Sequence, residues 1–249
     1  MNSLFSLDGR VALVTGASGT LGGHFARVLH RAGARVALAA RRVEAVPALG
    51  EGSVAVALDV TRPDSVIACF AAAEAAFGAP CDIIVNNAGI AVTKPVLDMA
   101  PEDYDSVLDV NLRGCFLVAQ EGARRLVAGK AAGSIINIAS ILGLRIIPGV
   151  AGYTAAKAGL LQMTRQMAVE FARYRIRVNA IAPGYIASDI NAGFFESEPG
   201  QAMLKRVPQR RLGTPEDLTG PLLLLASAAG AHMTGSTITV DGGHSINSL

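Results

Sequence analysis

Short apolar runs alternate with longer segments of helical period along nearly the whole chain. Runs of strand length fall at residues 11–14, 36–39, 54–58, 83–85, 135–138, 178–181 and 237–240, and they are predominantly apolar, as strands covered on both faces are. Between them, residues 21–32, 63–77, 101–127, 149–172 and 215–226 carry the 3.6-residue repeat of amphipathic helices, several with proline near the first turn. Strand and helix taken in turn predict an α/β fold, a doubly wound Rossmann-type domain. Its mostly parallel seven-stranded sheet should be flanked by helices and joined by right-handed crossovers. In such sheets ligands bind beyond the carboxyl ends of the strands, so the loops there are the first place to look for chemistry. Residues 185–212 show no clear period and are expected to form a mobile lid over a substrate, within one domain spanning residues 1–249.

Composition narrows the class. A hydrophobic fraction of 51% against 17% charged residues, with 27 glycines and no tryptophan, fits a large aliphatic core with many tight turns. The most apolar windows are too short to cross a bilayer, and the first residues lack the basic region and apolar run of a signal peptide. A cytoplasmic location without membrane attachment is expected. The net charge of +2 has no basic block behind it, so nucleic acid is not an expected partner. Cys69, Cys81 and Cys115 are scattered and read as core thiols, and His24, His30, His232 and His244 lack ligand spacing, so no metal site is expected.

Candidate chemistry gathers at four places. Tyr153 and Lys157 stand four residues apart in a helical segment, about 40° apart around the axis and roughly 6 Å along it, so phenol and ammonium share a face. A cation about 5 Å from a phenol at an effective dielectric of about 20 favours the phenolate by roughly 3 kcal/mol. Ser140, after the strand at 135–138, supplies a second hydroxyl. Reduction of a carbonyl needs a proton donor at the oxygen while hydride reaches the carbon, and these three residues offer one. The first strand runs through Thr15 into Gly16-Ala17-Ser18-Gly19-Thr20-Leu21-Gly22 and a helix, the setting in which glycines let a pyrophosphate approach a helix N-terminus. At the end of the second strand, where a carboxylate would bind a ribose 2′-hydroxyl, stand Arg41 and Arg42, and a guanidinium there suits a 2′-phosphate.

Thr15-Gly16, Asn86-Asn87-Ala88-Gly89, Ser140, Tyr153, Lys157 and Pro183-Gly184 together make the chain resemble the short-chain dehydrogenase/reductase family along nearly its whole length. One departure stands in the glycine turn. Chains of this size usually show TGxxxGxG, whereas Thr20 takes the second glycine position and gives TGxxGxxG, which leaves the loop conformation open. The resemblance implies Asn111, Ser140, Tyr153 and Lys157 as catalytic residues, with the helix locally disturbed at Asn111 to hold a proton-relaying water. It also implies Asp59 and Val60 at the adenine edge, Asn87, Ala88 and Gly89 along the ribose, and Pro183, Gly184, Ile186 and Ser188 at the nicotinamide. Ser18, Thr20, Leu21 and Gly22 join Gly16 at the phosphates. Leu142, Tyr185, Ile190, Phe194 and Phe195 then offer apolar surface to the substrate. An NADPH-dependent reductase of a 3-oxoacyl or other small carbonyl follows, reversible as an alcohol dehydrogenase, and a homotetramer is expected. Alternatives are an NAD-dependent sugar or secondary-alcohol dehydrogenase of the same family, an epimerase or dehydratase, and a nicotinamide-sensing protein without catalysis.

Overall fold

A computed structural model describes residues 3–187, 195 and 197–247. Seven strands, β1 (Val11–Thr15), β2 (Arg35–Ala40), β3 (Ser53–Ala57), β4 (Ile83–Asn86), β5 (Gly133–Ile138), β6 (Ile176–Pro183) and β7 (Thr237–Val240), form one sheet in the order β3-β2-β1-β4-β5-β6-β7. Every pair is parallel. The predicted strands all appear, within two residues of their expected ends. Because the chain runs outward from β1 to β3 and then returns to place β4 on the other side of β1, the β1–β4 seam is where the strand order reverses and where such sheets open a crevice.

Alternate residues of each strand feed two separate cores. Val11, Leu13, Ala37, Ile84 and Ile135 meet α2 (Pro63–Phe77) and α4 (Gly114–Ala128) through Phe70, Val118 and Leu126. Ala12, Val14, Leu38, Val85 and Ile136 meet α1 (Thr20–Arg31) and α7 (Thr219–Ala226) through Phe25, Leu29, Leu222 and Leu225. With both faces covered, the central strands have no solvent side, which is why they read as largely apolar runs, whereas the edge strands β3 and β7 are partly exposed. The central strands nevertheless carry a polar chain. Asn86 Nδ2 donates to Asn137 Oδ1 at 2.9 Å, Asn137 Nδ2 to Thr164 Oγ1 at 2.9 Å, and Thr164 Oγ1 to the Leu160 carbonyl at 2.7 Å. Burying amides is costly unless they are bonded, and here the bonds fix β4, β5 and α5 (Ala151–Phe171) to one another, with Asn86 Oδ1 left without a partner among the described residues.

Two helices depart from the simple pattern. The run predicted at 101–127 divides into α3 (Pro101–Leu108), a π-helical turn over Asp109–Arg113, and α4. The extra residue of the π turn carries Asn111, fully buried, whose Oδ1 accepts from the Ile90 N–H and whose Nδ2 donates to the Ile90 carbonyl, both at 2.8 Å. In the aperiodic stretch lies a short helix, α6 (Glu198–Leu204), capped by Ser197 and not foreseen in the sequence because seven residues containing Gly200 show no stripe. The flanks of that stretch are pinned together: Gly213 N–H donates to the Tyr185 carbonyl at 2.9 Å and Ala187 N–H to the Gly213 carbonyl at 2.8 Å. Among the described residues no helix is long and apolar enough to cross a membrane.

Candidate active site

The glycine turn closes over the β1–β4 seam by backbone geometry. Gly16 has φ +66°, a conformation other residues rarely adopt, and a Cβ on Gly22 would lie 2.2 Å from the Gly16 carbonyl oxygen. Thr20, by contrast, is the first residue of α1 with Gly19 as its N-cap, and it is not among the residues with positive φ. A helical conformation accepts a β-branched side chain, so the departure from TGxxxGxG leaves the turn intact. Thr15, 1% exposed, ties the turn to the next strand: its hydroxyl accepts from the Asn87 N–H at 2.9 Å and the Ala88 N–H at 3.0 Å. The Asn87 side chain returns the bond, its amide donating to the Thr15 carbonyl at 3.0 Å and the Gly16 carbonyl at 3.3 Å. Asn87 thus braces the turn as well as lining the crevice. The Thr15 hydroxyl immediately before Gly16 is the sequence signal for this bracing.

That crevice, of about 410 Å³, brings together every residue expected at the adenine, ribose and phosphate positions, from Gly16, Ser18, Thr20, Leu21 and Gly22 through Arg41, Arg42, Asp59 and Val60 to Asn87, Ala88 and Gly89. Leu21, Asn87, Gly89 and Ile90 are shared with a second cleft of about 350 Å³. There Ser140, Tyr153 and Lys157 meet Pro183, Gly184, Tyr185 and Ile186. The two are one trough. Along it α1 points its N-terminal N–H groups at the turn, and Arg41 and Arg42 lie exposed with neither guanidinium bonded to a protein acceptor among the described residues. Asp59 is held below the usual carboxylate range by the Thr61 hydroxyl and N–H, with Arg41 adding to the effect. Backbone donors for a pyrophosphate, two free guanidiniums and a length running to the tyrosine fit a phosphorylated dinucleotide.

At the inner end, Lys157 is 3% exposed, donates to the Ile138 carbonyl at 2.7 Å, and stands 5.5 Å from the centre of the Tyr153 ring. Ser140 Oγ accepts from the Leu142 N–H at 3.1 Å, which spends an acceptor site and leaves its own proton free to be donated. Leu142 faces the site through that N–H and does not line the trough, and Asn111 sits behind it, gripping Ile90. Ser188, Ile190 and Phe194 lie outside the described residues. Phe195 is 5% exposed and meets the Tyr185 ring edge-on at 5.6 Å between centres. The thiols are inert: burial pushes Cys69 and Cys81 up to about 12 and Cys115 up to about 11. Among the described residues no three potential metal ligands cluster.

A parallel sheet whose reversal seam carries a braced glycine turn and runs into a serine, tyrosine and lysine cluster defines a Rossmann-type oxidoreductase. Residues 16–245 match the family model described as enoyl-(acyl carrier protein) reductase. The chain is 39% identical, over 97% of both chains, to 2-dehydro-3-deoxy-D-gluconate 5-dehydrogenase of Escherichia coli strain K12. It is 36% identical, over 96% of its own length and 98% of the relative's, to the 3-oxoacyl-(acyl-carrier-protein) reductase FabG of Rickettsia bellii strain RML369-C. The crystal structure of a gluconate 5-dehydrogenase from Burkholderia cenocepacia J2315, in complex with NADP and tartrate, superposes with a TM-score of 0.91 at 36% identity over 97% of each chain. The chain belongs to the short-chain dehydrogenase/reductase family. It is an NAD(P)-dependent oxidoreductase acting on alcohol or ketone groups of a small molecule.

Proposed function

We propose that the protein is an NADPH-dependent reductase that converts a ketone to a secondary alcohol and runs in reverse as an alcohol dehydrogenase. The observation that carries this reading is the single trough, closed at one end by Ser140, Tyr153 and Lys157 and at the other by the unbonded Arg41 and Arg42. The α1 N-terminus and glycine turn hold the pyrophosphate, Arg41 takes the 2′-phosphate with Arg42 in support, and Lys157 reaches the nicotinamide ribose. Once bound, the cofactor supplies the hydride. Tyr153 gives its hydroxyl proton to the carbonyl oxygen, and Ser140, its lone pair already occupied by the Leu142 N–H, directs its own proton at the same oxygen. Lys157, aimed by the Ile138 carbonyl, stabilises the phenolate that remains. Because both ends of the Asn111 side chain are bonded to Ile90, a proton relay at Asn111 uses its main-chain carbonyl, which the π turn sets apart from the regular ladder. The NADP bound to the Burkholderia cenocepacia relative supports the cofactor reading.

The test is a ketone panel followed by NADPH and NADH consumption with wild type and Arg41→Ala. Wild type should favour NADPH and the variant should lose that preference; an unchanged ratio refutes the assignment. We also read the chain as a homotetramer, because Phe116 and Val127 on α4 and Val169 on α5 expose large apolar side chains beside a groove of about 520 Å³ between those helices. A stable monomer in light scattering would overturn that part.

A further inference from the structure

Ser140 leaves β5 in an extended conformation and caps a short 3₁₀ turn, Ile141–Gly143. Two bonds make the serine and the turn one unit: the Leu142 N–H donates to Ser140 Oγ at 3.1 Å, and the Gly143 N–H donates to the Ser140 carbonyl at 3.0 Å. Where Gly143 sits therefore decides where the hydroxyl aims. Gly143 lies flat against α5. A Cβ on it would stand 2.8 Å from both the carbonyl carbon and the carbonyl oxygen of Lys157, and 2.9 Å from Leu161 Cδ1. Non-bonded heavy atoms meet most favourably at about 3.5–4.0 Å, so all three contacts would be collisions. Two of the three atoms belong to the main chain and cannot swing aside as a side-chain tip can.

Of the two partners, the helix is the one that cannot yield. Lys157 Nζ donates to the Ile138 carbonyl at 2.7 Å and Asn137 Nδ2 donates to Thr164 Oγ1 at 2.9 Å, so β5 holds α5 at two points about two helical turns apart. Leu161, between them, is buried in an apolar cluster with Cys115, Ala139, Leu160 and Ala180. The turn has less behind it, since Leu144 and Ile146 on its outer side are exposed. A methyl group at Gly143 would thus lift the turn off the helix. The pivot is Ser140, whose neighbour Ala139 stays in the sheet through its N–H bond to the Ile181 carbonyl at 2.8 Å. Tyr153 and Lys157 would keep their places on α5 while the serine hydroxyl lost its aim.

We propose that Gly143 is a positioning residue of the reaction. By letting the turn seat backbone to backbone on the Lys157 carbonyl, it sets the distance and direction of the Ser140 hydroxyl against Tyr153, so that both donors meet one carbonyl oxygen. This rests on the reductase reading and adds the element that spaces its two donors. Gly143 acts through Ser140, for it is not on the wall of the catalytic cleft.

The experiment measures reduction of ethyl acetoacetate, erythrulose and cyclohexanone, with NADPH and with NADH, by wild type, Gly143→Ala, Ser140→Ala and the double variant. Ser140→Ala should lower kcat by about 10²- to 10³-fold, as loss of one donor to a developing oxyanion does. Gly143→Ala should lower kcat by about 10- to 100-fold, with KM and the cofactor Kd from fluorescence titration within about threefold. In the Ser140→Ala background the same change should cost less than about threefold, because the hydroxyl it misdirects is already gone. The pH profile of kcat should hold its position in Gly143→Ala, since the Tyr153–Lys157 pair does not move. A full second loss in the double variant, a shifted pH profile, a loss carried by KM or an unchanged kcat would overturn the proposal. Should Gly143→Ala fail to fold, Gly143→Ala with Leu161→Val clears the Leu161 contact, keeps the Lys157 one and is read against Leu161→Val alone; no folded protein from either overturns the proposal. Should wild type reduce none of the ketones with either cofactor, the reductase reading fails, and crystal structures of wild type and Gly143→Ala decide the positioning separately. A Ser140 Oγ farther from the Tyr153 hydroxyl by about 0.5 Å or more supports it, and an unchanged separation overturns it.

Discussion

The two ends of the trough are built by different means. At the cofactor end, strand ends, a helix N-terminus and a glycine turn supply backbone groups, and the braces among Thr15, Asn87 and Gly16 run between adjacent strands of the sheet itself. At the substrate end, Tyr185 and Ile186 open an excursion outside the sheet that returns at Gly213, and the tail after β7 beside it is fastened by Arg145, Arg206 and Asp241. The first kind of construction leaves little room for variation, because a Cβ at Gly22 collides with carbonyl oxygen. The second lets side chains change while the sheet stays as it is. A family can therefore keep one cofactor grip and serve many substrates.

The largest expected effect lies where the ends meet. Tyr153→Phe should lower kcat by about 10³-fold or more while cofactor affinity, read by fluorescence titration, stays within about threefold. A loss of cofactor binding in step would mean that the tyrosine belongs to the cofactor end. Next, Arg41→Ala should raise the KM for NADPH by about 10- to 100-fold through loss of charge-assisted hydrogen bonds, with NADH kinetics little altered. Thr15→Val removes a buried acceptor from two N–H groups and should cost about 1–3 kcal/mol of stability in urea unfolding, together with a weaker hold on either cofactor.

The smallest effect concerns pH. Burial lowers the folded-state pKa of His24 below 6.5, with Glu216 opposing. The unfolded chain then binds the proton more readily, so stability is full above about pH 6.5 and falls as pH drops below it. His24→Gln should flatten that slope in a melting series, and an identical slope would show that other groups set it.

The same contrast explains what could be read without coordinates. Glycine turns, strand runs and the Tyr153–Lys157 spacing are local patterns, and the sheet order places them as their spacing suggests. The helix interruption at Asn111 came through family resemblance, since its physical cause is the backbone of Ile90, 21 residues earlier. The helix at Glu198–Leu204 is too short to show a stripe, and the aromatic contact of Tyr185 with His244 joins segments far apart in the chain. His244 carries no local signal in the sequence because its partners lie at Tyr185, Asp241 and Arg145.

The paired backbone bonds between Tyr185, Ala187 and Gly213 give the intervening stretch a closed base. A segment that enters and leaves at one point can be exchanged whole, like a cassette, without retuning the strands beneath it. Transplanting residues 189–212 from a relative of different taste, with Ser188 kept, should then carry over substrate preference while cofactor affinity and folding are inherited from the recipient.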